Sequence, residues 1–556
     1  MEAAAHAPRR GRDTPVPGAV PREESGESIA VRGVPERFNM ARYCLGAAPQ
    51  RPPTKVGLIV VGDHRDPGRG AERWTFGALE AAVRAAAAGL AGAGLRRGDR
   101  LMLRMGNVSD FPLLFFAALA AGIVAVPTSS QLTQEEAAFV LADSGAAAIA
   151  VSPDLAPSTT VPSDVLTIDA AHLAAWRRQS SGVGDFADTA ADDPAFLVYT
   201  SGTTGVPKGV LHAHRSAWGR RPMYDGWYGI GPDDVMLHAG ALNWTYTLGV
   251  GLTDPWAVGA TAVVYHGPRD PGVWPRIMAA TQATLFAAVP GVYRQLLGSG
   301  DLDPAQLTTL RHGLTAGESL QPDLWERWRA ATGLELYEAL GMSEVSTFIS
   351  SGPLSPTRPG SPGRPQPGRR VGVLPVEPPE RDAAGPADAA YAEPLPDGQT
   401  GLLAVHRCDP GLMLGYWNGV GVDESAWRGE WFVSGDLVHL EPDGYVIHHG
   451  RADDVMNSGG YRVSPLEVER VLASFPGVAD VAVTDVPVKP GVTVITAFVI
   501  ESAASGETSG LDAGALLAHA HAHLAGYKCP RRVVSVDSLP RTGNGKVMRS
   551  ALKSRT

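Results

Sequence analysis

The apolar residues Phe196-Leu197-Val198 run directly into the string YTSGTTGVPKGV at positions 199–210, and this junction constrains the chain more than any other stretch. A β-prone run that breaks into glycine, threonine and serine reads as a buried strand ending in a loop. Glycines 202, 205 and 209 let backbone amides approach an anion closely. Thr200, Ser201, Thr203 and Thr204 bring hydroxyls, and Lys208 brings a fixed positive charge. Such a loop suits a nucleotide triphosphate. It is not a Walker loop, because Gly-Lys-Ser/Thr is absent. The plainer alternative is a Gly/Thr-rich surface turn, but so many polar and turn residues in this order are hard to reach by chance.

Strand and helix patterns alternate on both sides of this string. Residues 76–95 are Ala-rich and predict a helix, with breakers at Gly92 and Gly94. Residues 100–104 (RLMLR) predict a strand, 113–121 a helix, and 123–126 a short strand. Further buried strands are expected at 146–151, 196–199, 261–265 and 285–289. Strands separated by helices imply parallel sheets with covered faces. Between 351 and 400 proline, glycine, alanine and aspartate dominate, which predicts a loop-rich connector with some strand. After residue 450 the pattern restarts, with a helix at 465–474, as a module of about 100 residues. At 556 residues the chain is too long for one compact core. The expected division is a disordered tail at 1–30, a large domain at 31–450, a hinge at 451–453 and a small α+β domain at 454–556. The fold class is α/β, with parallel-rich sheets sandwiched by helices in the large domain.

Composition narrows the function. A net charge of −10 argues against nucleic acid as the main partner. Cys44, Cys408 and Cys529 are far apart and form no CxxC pair, which fits a reducing, cytoplasmic compartment and argues against a disulfide framework or a zinc site. The first residues are polar, with no apolar core of a secretory signal. The longest apolar run, 111–127, is shorter than the ~20 residues of a membrane span and contains Pro112 and Gly122. It reads as a buried helix entering a strand.

With its 199–210 string, the chain resembles the adenylate-forming superfamily of acyl-CoA synthetases, peptide-synthetase adenylation domains and luciferases. The resemblance extends over nearly the whole chain. Gly341-Met342-Ser343-Glu344 is similar to the family's YGxTE segment, with Leu340 where tyrosine is common. It implies that Ser343 contacts phosphate and that Glu344 helps hold Mg2+, a hard cation that prefers carboxylate oxygen. Ala316-Gly317-Glu318 resembles the loop that packs on adenine. Ser434-Gly435-Asp436 resembles TGD, whose aspartate reads the ribose hydroxyls. Arg451 and Arg462 resemble arginines that reach the nucleotide and its phosphate. Asp453 falls at the hinge, Ser458-Gly459-Gly460 resembles the loop lining the thiol channel, and Lys546 in LPRTGNGKVMR resembles the C-terminal catalytic lysine.

The resemblance implies an ATP-dependent acid–thiol ligase of the benzoate and medium-chain branch. ATP and coenzyme A are its co-substrates, and Lys208, Glu344 and Lys546 its catalytic residues. Trp244, Val289, Ala316 and Gly341 fall where the family lines its acyl site. A glycine at 341, where acetyl-CoA synthetases carry a tryptophan, leaves room and predicts an aryl, alicyclic or medium-chain acid. No aspartate occurs at 241–248 to pair with an α-amino group. An acyl carrier protein as acceptor and a homodimer both stay open.

Overall fold

The computed structural model describes residues 33–155, 159–178, 184–200, 207–268, 270–377, 391–419, 426–452, 454, 456–458, 461–489, 492–502, 511–541 and 547–553. The 1–30 segment therefore lies outside the described residues.

Two large sheets build the first part of the chain. In the nine-stranded one, six strands run parallel in the order Glu335–Met342, His312–Ala316, Leu285–Ala288, Val235–His238, Thr261–Tyr265 and Val56–Val61. Antiparallel neighbours Ser346–Ser350 and Glu72–Thr75 flank this block. The seven-stranded sheet runs Gly415–Tyr416, Lys208–Ala213, Pro194–Thr200, Val124–Thr128, Arg100–Arg104, Ala148–Val151 and Leu166–Ile168. Its last five strands are parallel, and Lys208–Ala213 is antiparallel to both its neighbours.

Local sequence explains the helices between them. Phe76–Gly92 starts at Thr75, whose hydroxyl accepts from the Ala78 amide, and buries Phe76, Leu79, Val83, Ala86 and Leu90 on one face. Asp110–Ala121 is buried from Phe111 to Ala120 and stops at Gly122, which takes φ 71°. Burial on every side is why this run is apolar throughout. The same core holds Leu58 and Val264 of the nine-stranded sheet and Leu101, Ala125 and Val198 of the seven-stranded one. No helix among the described residues is long and apolar enough to cross a membrane.

A third sheet departs from the parallel expectation. Val371–Leu374, Gly401–His406, Trp431–Leu440, Trp427–Arg428 and Val446–Arg451 pair antiparallel throughout. The turn at Gly444 (φ 84°) joins Trp431–Leu440 to Val446–Arg451, a connection short enough only for antiparallel pairing.

The smaller C-terminal domain has its own core. Val478–Lys489 and Val492–Glu501 pair antiparallel, and Arg532–Ser535 joins in parallel. The helix Pro465–Ala473, capped by Ser464, adds Val468 and Leu472 to Val481, Val483, Ile495 and Leu516. The structure is thus an α/β large domain followed by a smaller α+β domain.

Candidate active site

The strands Pro194–Thr200 and Lys208–Ala213 form a hairpin in which Thr200 pairs with Lys208. The intervening Ser201, Gly202, Thr203, Thr204 and Gly205 lie outside the described residues, as do Asp453, Gly459, Gly460 and Lys546. Lys208 Nζ sits 5.8 Å from the centroid of the Tyr416 ring. The Tyr416 hydroxyl donates to Glu344 Oε1 at 2.7 Å. Lys208 and Glu344 thus share one aromatic neighbour.

Backbone geometry brings them together. Tyr416 lies on the edge strand paired to Lys208–Ala213, opposite Val210. His212, two residues on, donates from Nε2 to the Ser343 carbonyl at 2.8 Å, and the Met413 amide donates to the Glu344 carbonyl at 2.7 Å. Burial pushes the His212 pKa down to about 4, so the ring is a neutral donor, stacked on Phe196 with centroids 4.7 Å apart. The two sheets therefore meet where the turn 343–345 faces the hairpin. Met342 packs against the core of the third sheet and accepts the Val345 amide through its carbonyl.

Ser346 closes that turn with φ 78°, a costly conformation for a side-chain-bearing residue. Its hydroxyl accepts from the buried Arg220 guanidinium. Arg220 is clamped by Asp254 at 2.8 and 2.7 Å, and the Tyr228 hydroxyl also donates to Asp254 at 2.7 Å. Burial opposes the Arg220 charge, but Asp254 beside it wins and raises the pKa.

The acyl-site candidates also converge. Gly317 takes φ 95°, and a Cβ there would lie 3.3 Å from the Trp244 ring and 3.6 Å from Val289 Cγ1. Trp244 meets Tyr246 edge to face at 5.1 Å, and Ala316 belongs to the same core as Tyr246. Gly341 corrects the sequence reading. A Cβ at this position would lie 2.3 Å from the Ser346 carbonyl oxygen and 2.6 Å from Thr347 Cα. The glycine permits close approach of two strands at a register shift, and its missing side chain opens no space for an acid.

A small cavity is lined by Ser319, Gln321, Glu338, His448, Leu466 and Arg470, among others, and of the nucleotide candidates Asp436 touches this lining through His448. Asp436 Oδ1 lies 3.2 Å from His448 Nε2. Arg451 pairs with Asp436 across the sheet and covers Gly435 so closely that a Cβ would sit 2.5 Å from its guanidinium. Glu318 is not free to line this cavity alone, since it ion-pairs with Arg541 and, at 3.4 Å, with Arg294. Asn457 pairs with Arg462 and Ser458 with Tyr461 in a short antiparallel hairpin.

Sequence reasoning missed Tyr416, His212 and Glu338. Tyr416 carries a faint signal, a Gly-Tyr-Trp after the apolar residues 412–414. Glu338 lies three residues before Gly341 and is buried. Burial pushes its carboxyl up to about 7, although the Leu320 amide at 2.9 Å and the charge of Arg470 oppose this.

Among the described residues no group of three or more His, Cys, Asp or Glu could hold a metal ion. Glu344 still fits Mg2+. Its Oε1 is held by Tyr416, and Oε2 has no protein partner among the described residues. Phosphate oxygens and water complete the shell of a magnesium ion bound by one carboxylate.

A parallel-rich domain in which Tyr416 holds Glu344 close to Lys208, with a smaller domain after it, fits an adenylate-forming enzyme. The profile of the AMP-binding enzyme family matches residues 47–417, and that of the AMP-binding enzyme C-terminal domain matches 467–546. The mitochondrial acyl-coenzyme A synthetase ACSM5 of Homo sapiens is 32% identical, over 97% of this chain and 94% of its own. The 3-hydroxybenzoate–CoA ligase of Aromatoleum sp. (strain CIB) is 31% identical, over 87% of this chain and 92% of its own. The crystal structure of a benzoate CoA ligase from Burkholderia xenovorans LB400 superposes with a TM-score of 0.80 at 29% identity, over 93% of this chain and 100% of that one. The chain belongs to the AMP-binding enzyme family, as an ATP-dependent, AMP-forming acyl-coenzyme A synthetase.

Tyr416→Phe keeps the ring beside Lys208 and removes the hydroxyl on Glu344. Pyrophosphate release should slow by about tenfold, the worth of one hydrogen bond to a charged group, with the apparent affinity for Mg-ATP weakened. An unchanged rate at all magnesium concentrations would show that Tyr416 does not hold Glu344. Glu338 supplies a pH test. Between pH 4.5 and about 7 the folded protein keeps a proton that the unfolded chain has released. Stability therefore falls as pH rises through that window, by up to about 3 kcal/mol from this group. Glu338→Gln should flatten that fall in urea melts compared at pH 5 and pH 7.5.

Proposed function

We propose that the chain joins an aryl, alicyclic or medium-chain carboxylic acid to AMP and then passes the acyl group to coenzyme A. The convergence of Lys208, Tyr416 and Glu344 carries this reading. In the first step a carboxylate oxygen attacks the α-phosphorus of ATP and pyrophosphate leaves. In the second a thiolate attacks the acyl carbonyl and AMP leaves.

Two anions must meet in the first step, so charge neutralisation dominates its barrier. Lys208 and the loop from Thr200 through Gly205 receive the phosphates, with Ser343 beside them. Glu344 would hold magnesium, which supplies further positive charge to the phosphates. Asp436, Arg451 and Arg462 orient the rest of the nucleotide, with Gly317, Glu318, Gly341 and Met342 at the adenine. The acid lies against Trp244, Val289 and Ala316, and the Trp244–Tyr246 pair suits a flat ring or a bulky chain. The family's named benzoate and 3-hydroxybenzoate ligases support such acids.

Lys546 serves the first step, reaching both the acid and the α-phosphate. It must then withdraw to admit the thiol. Rotation about Asp453 achieves this and brings up Ser458, Gly459 and Gly460 to line the thiol channel. We assign the reaction to the cytoplasm on the cysteine usage.

Lys546→Ala should abolish pyrophosphate release while sparing thioester formation from a supplied acyl-adenylate. Equal loss of both half-reactions would refute this division of labour. A pyrophosphate-release screen tests the acid, run over benzoates, cyclohexane carboxylates, cinnamates and straight-chain acids, with CoA or a phosphopantetheinylated carrier protein. Aryl, alicyclic or medium-chain acids should exceed acetate in kcat/KM by about tenfold or more. Acetate as the best substrate would overturn the pocket assignment.

A further inference from the structure

The small domain touches the large one through four alternating charges. Arg294, on the helix Pro290–Ser299, and Glu318 belong to the large domain, 3.4 Å apart. Asp480, on the strand Val478–Lys489, and Arg541 belong to the small domain, 2.7 Å apart. Across the boundary Arg541 ion-pairs with Glu318, and Arg294 lies 3.9 Å from Asp480. All four side chains are between 16% and 25% exposed, so water screens them only in part.

Arg541 is also the base of the stretch that carries Lys546. Its backbone bridges to Val547, and the Met548 amide donates to the Pro540 carbonyl at 2.8 Å. Residues 542–546 run between these paired positions. Whatever holds Arg541 against the large domain sets where that stretch begins.

Resting on the reading that Lys546 serves the first half-reaction and withdraws for the second, we propose that Arg294, Glu318, Asp480 and Arg541 form a reversible interdomain latch that positions the Lys546 stretch for adenylation. Each domain contributes one positive and one negative charge. When the domains part, Arg294 keeps Glu318 and Arg541 keeps Asp480. No charge is left alone, so opening costs only the cross-boundary terms. An ordinary pair split between two domains would leave two unpaired charges on opening, at a larger cost.

The two half-reactions read the latch separately. Asp480→Ala combined with Arg541→Ala deletes the small domain's half of the latch and leaves Arg294 paired with Glu318, so no charge is stranded. This paired deletion should slow pyrophosphate release about 3- to 10-fold at saturating ATP, the scale of a partly exposed ion pair. It should not slow acyl transfer to CoA from a supplied acyl-adenylate. The pair of reversals Arg294→Asp with Asp480→Arg puts two negative charges on the large domain and two positive on the small. That strengthens closure and removes the pairing that each domain keeps on opening. The double variant should keep pyrophosphate release within about twofold and slow acyl transfer about 3- to 10-fold, with NaCl relieving the slowing. A simple folding defect would not reverse which half-reaction suffers. A paired deletion that slows both half-reactions alike, or a double variant with unaltered acyl transfer, would overturn the latch. Should the double variant be unstable, a salt series on the unaltered chain decides: NaCl should slow pyrophosphate release and spare acyl transfer. Lys546→Ala distinguishes the two failures. If it stops both half-reactions, the division of labour falls and the latch with it. If it stops only the first while the quartet variants show no split, the latch alone is wrong.

Discussion

Lys208 and Glu344 are opposite charges held beside one phenol. A direct ion pair would neutralise both and leave neither to meet a phosphate or a cation. Tyr416 gives each charge a separate chemical face. The ring offers π electrons to the ammonium, and the hydroxyl donates to the carboxylate. The arrangement depends on one strand, Lys208–Ala213, which carries Lys208, pairs with Tyr416 and anchors the Ser343 carbonyl through His212. Two sheets are thereby tied at the point where their loops must cooperate.

The supporting shell concentrates cost near this seam. Ser346 is held in the left-handed region one residue beyond the apolar Val345, and the buried Arg220–Asp254 pair sustains it. A buried pair of this kind offers little net stability against an apolar substitute, but losing one partner costs about 3–5 kcal/mol. Its value lies in specifying a turn that would otherwise relax. Glu338, nearby on the strand Glu335–Met342, is a second buried group that holds an unusual protonation state.

The C-terminal domain is organised around charge as well as apolar packing. Arg549 reaches Glu469 at 2.8 Å and Asp454 at 3.2 Å, joining the last helix to the residue that follows Asp453. Burial and Arg549 pull the Glu469 carboxyl in opposite directions, and burial raises its pKa. These pairs join the last helix, the helix Pro465–Ala473 and the start of the domain within one unit.

Much of this architecture was legible in the residues. The strand Thr261–Tyr265 matches its expectation at both ends, and the 111–127 run is the buried helix and strand that its length required. The strand Pro194–Thr200 that enters the Gly/Thr string was legible because an apolar run broken by glycines and hydroxyls is written in neighbouring residues. Tyr416, Arg294 and Asp480 were not, since Tyr416 meets Glu344 72 residues away, Asp480 meets Arg541 61 away and Arg294 meets Glu318 24 away. Gly341 shows the same limit from the other side. The sequence alone determined that a glycine stands there, but only the tertiary structure decided that its empty side faces the Ser346 backbone and not a substrate. Local order is written in neighbouring residues, whereas the filling of a given space depends on which distant strand folds against it.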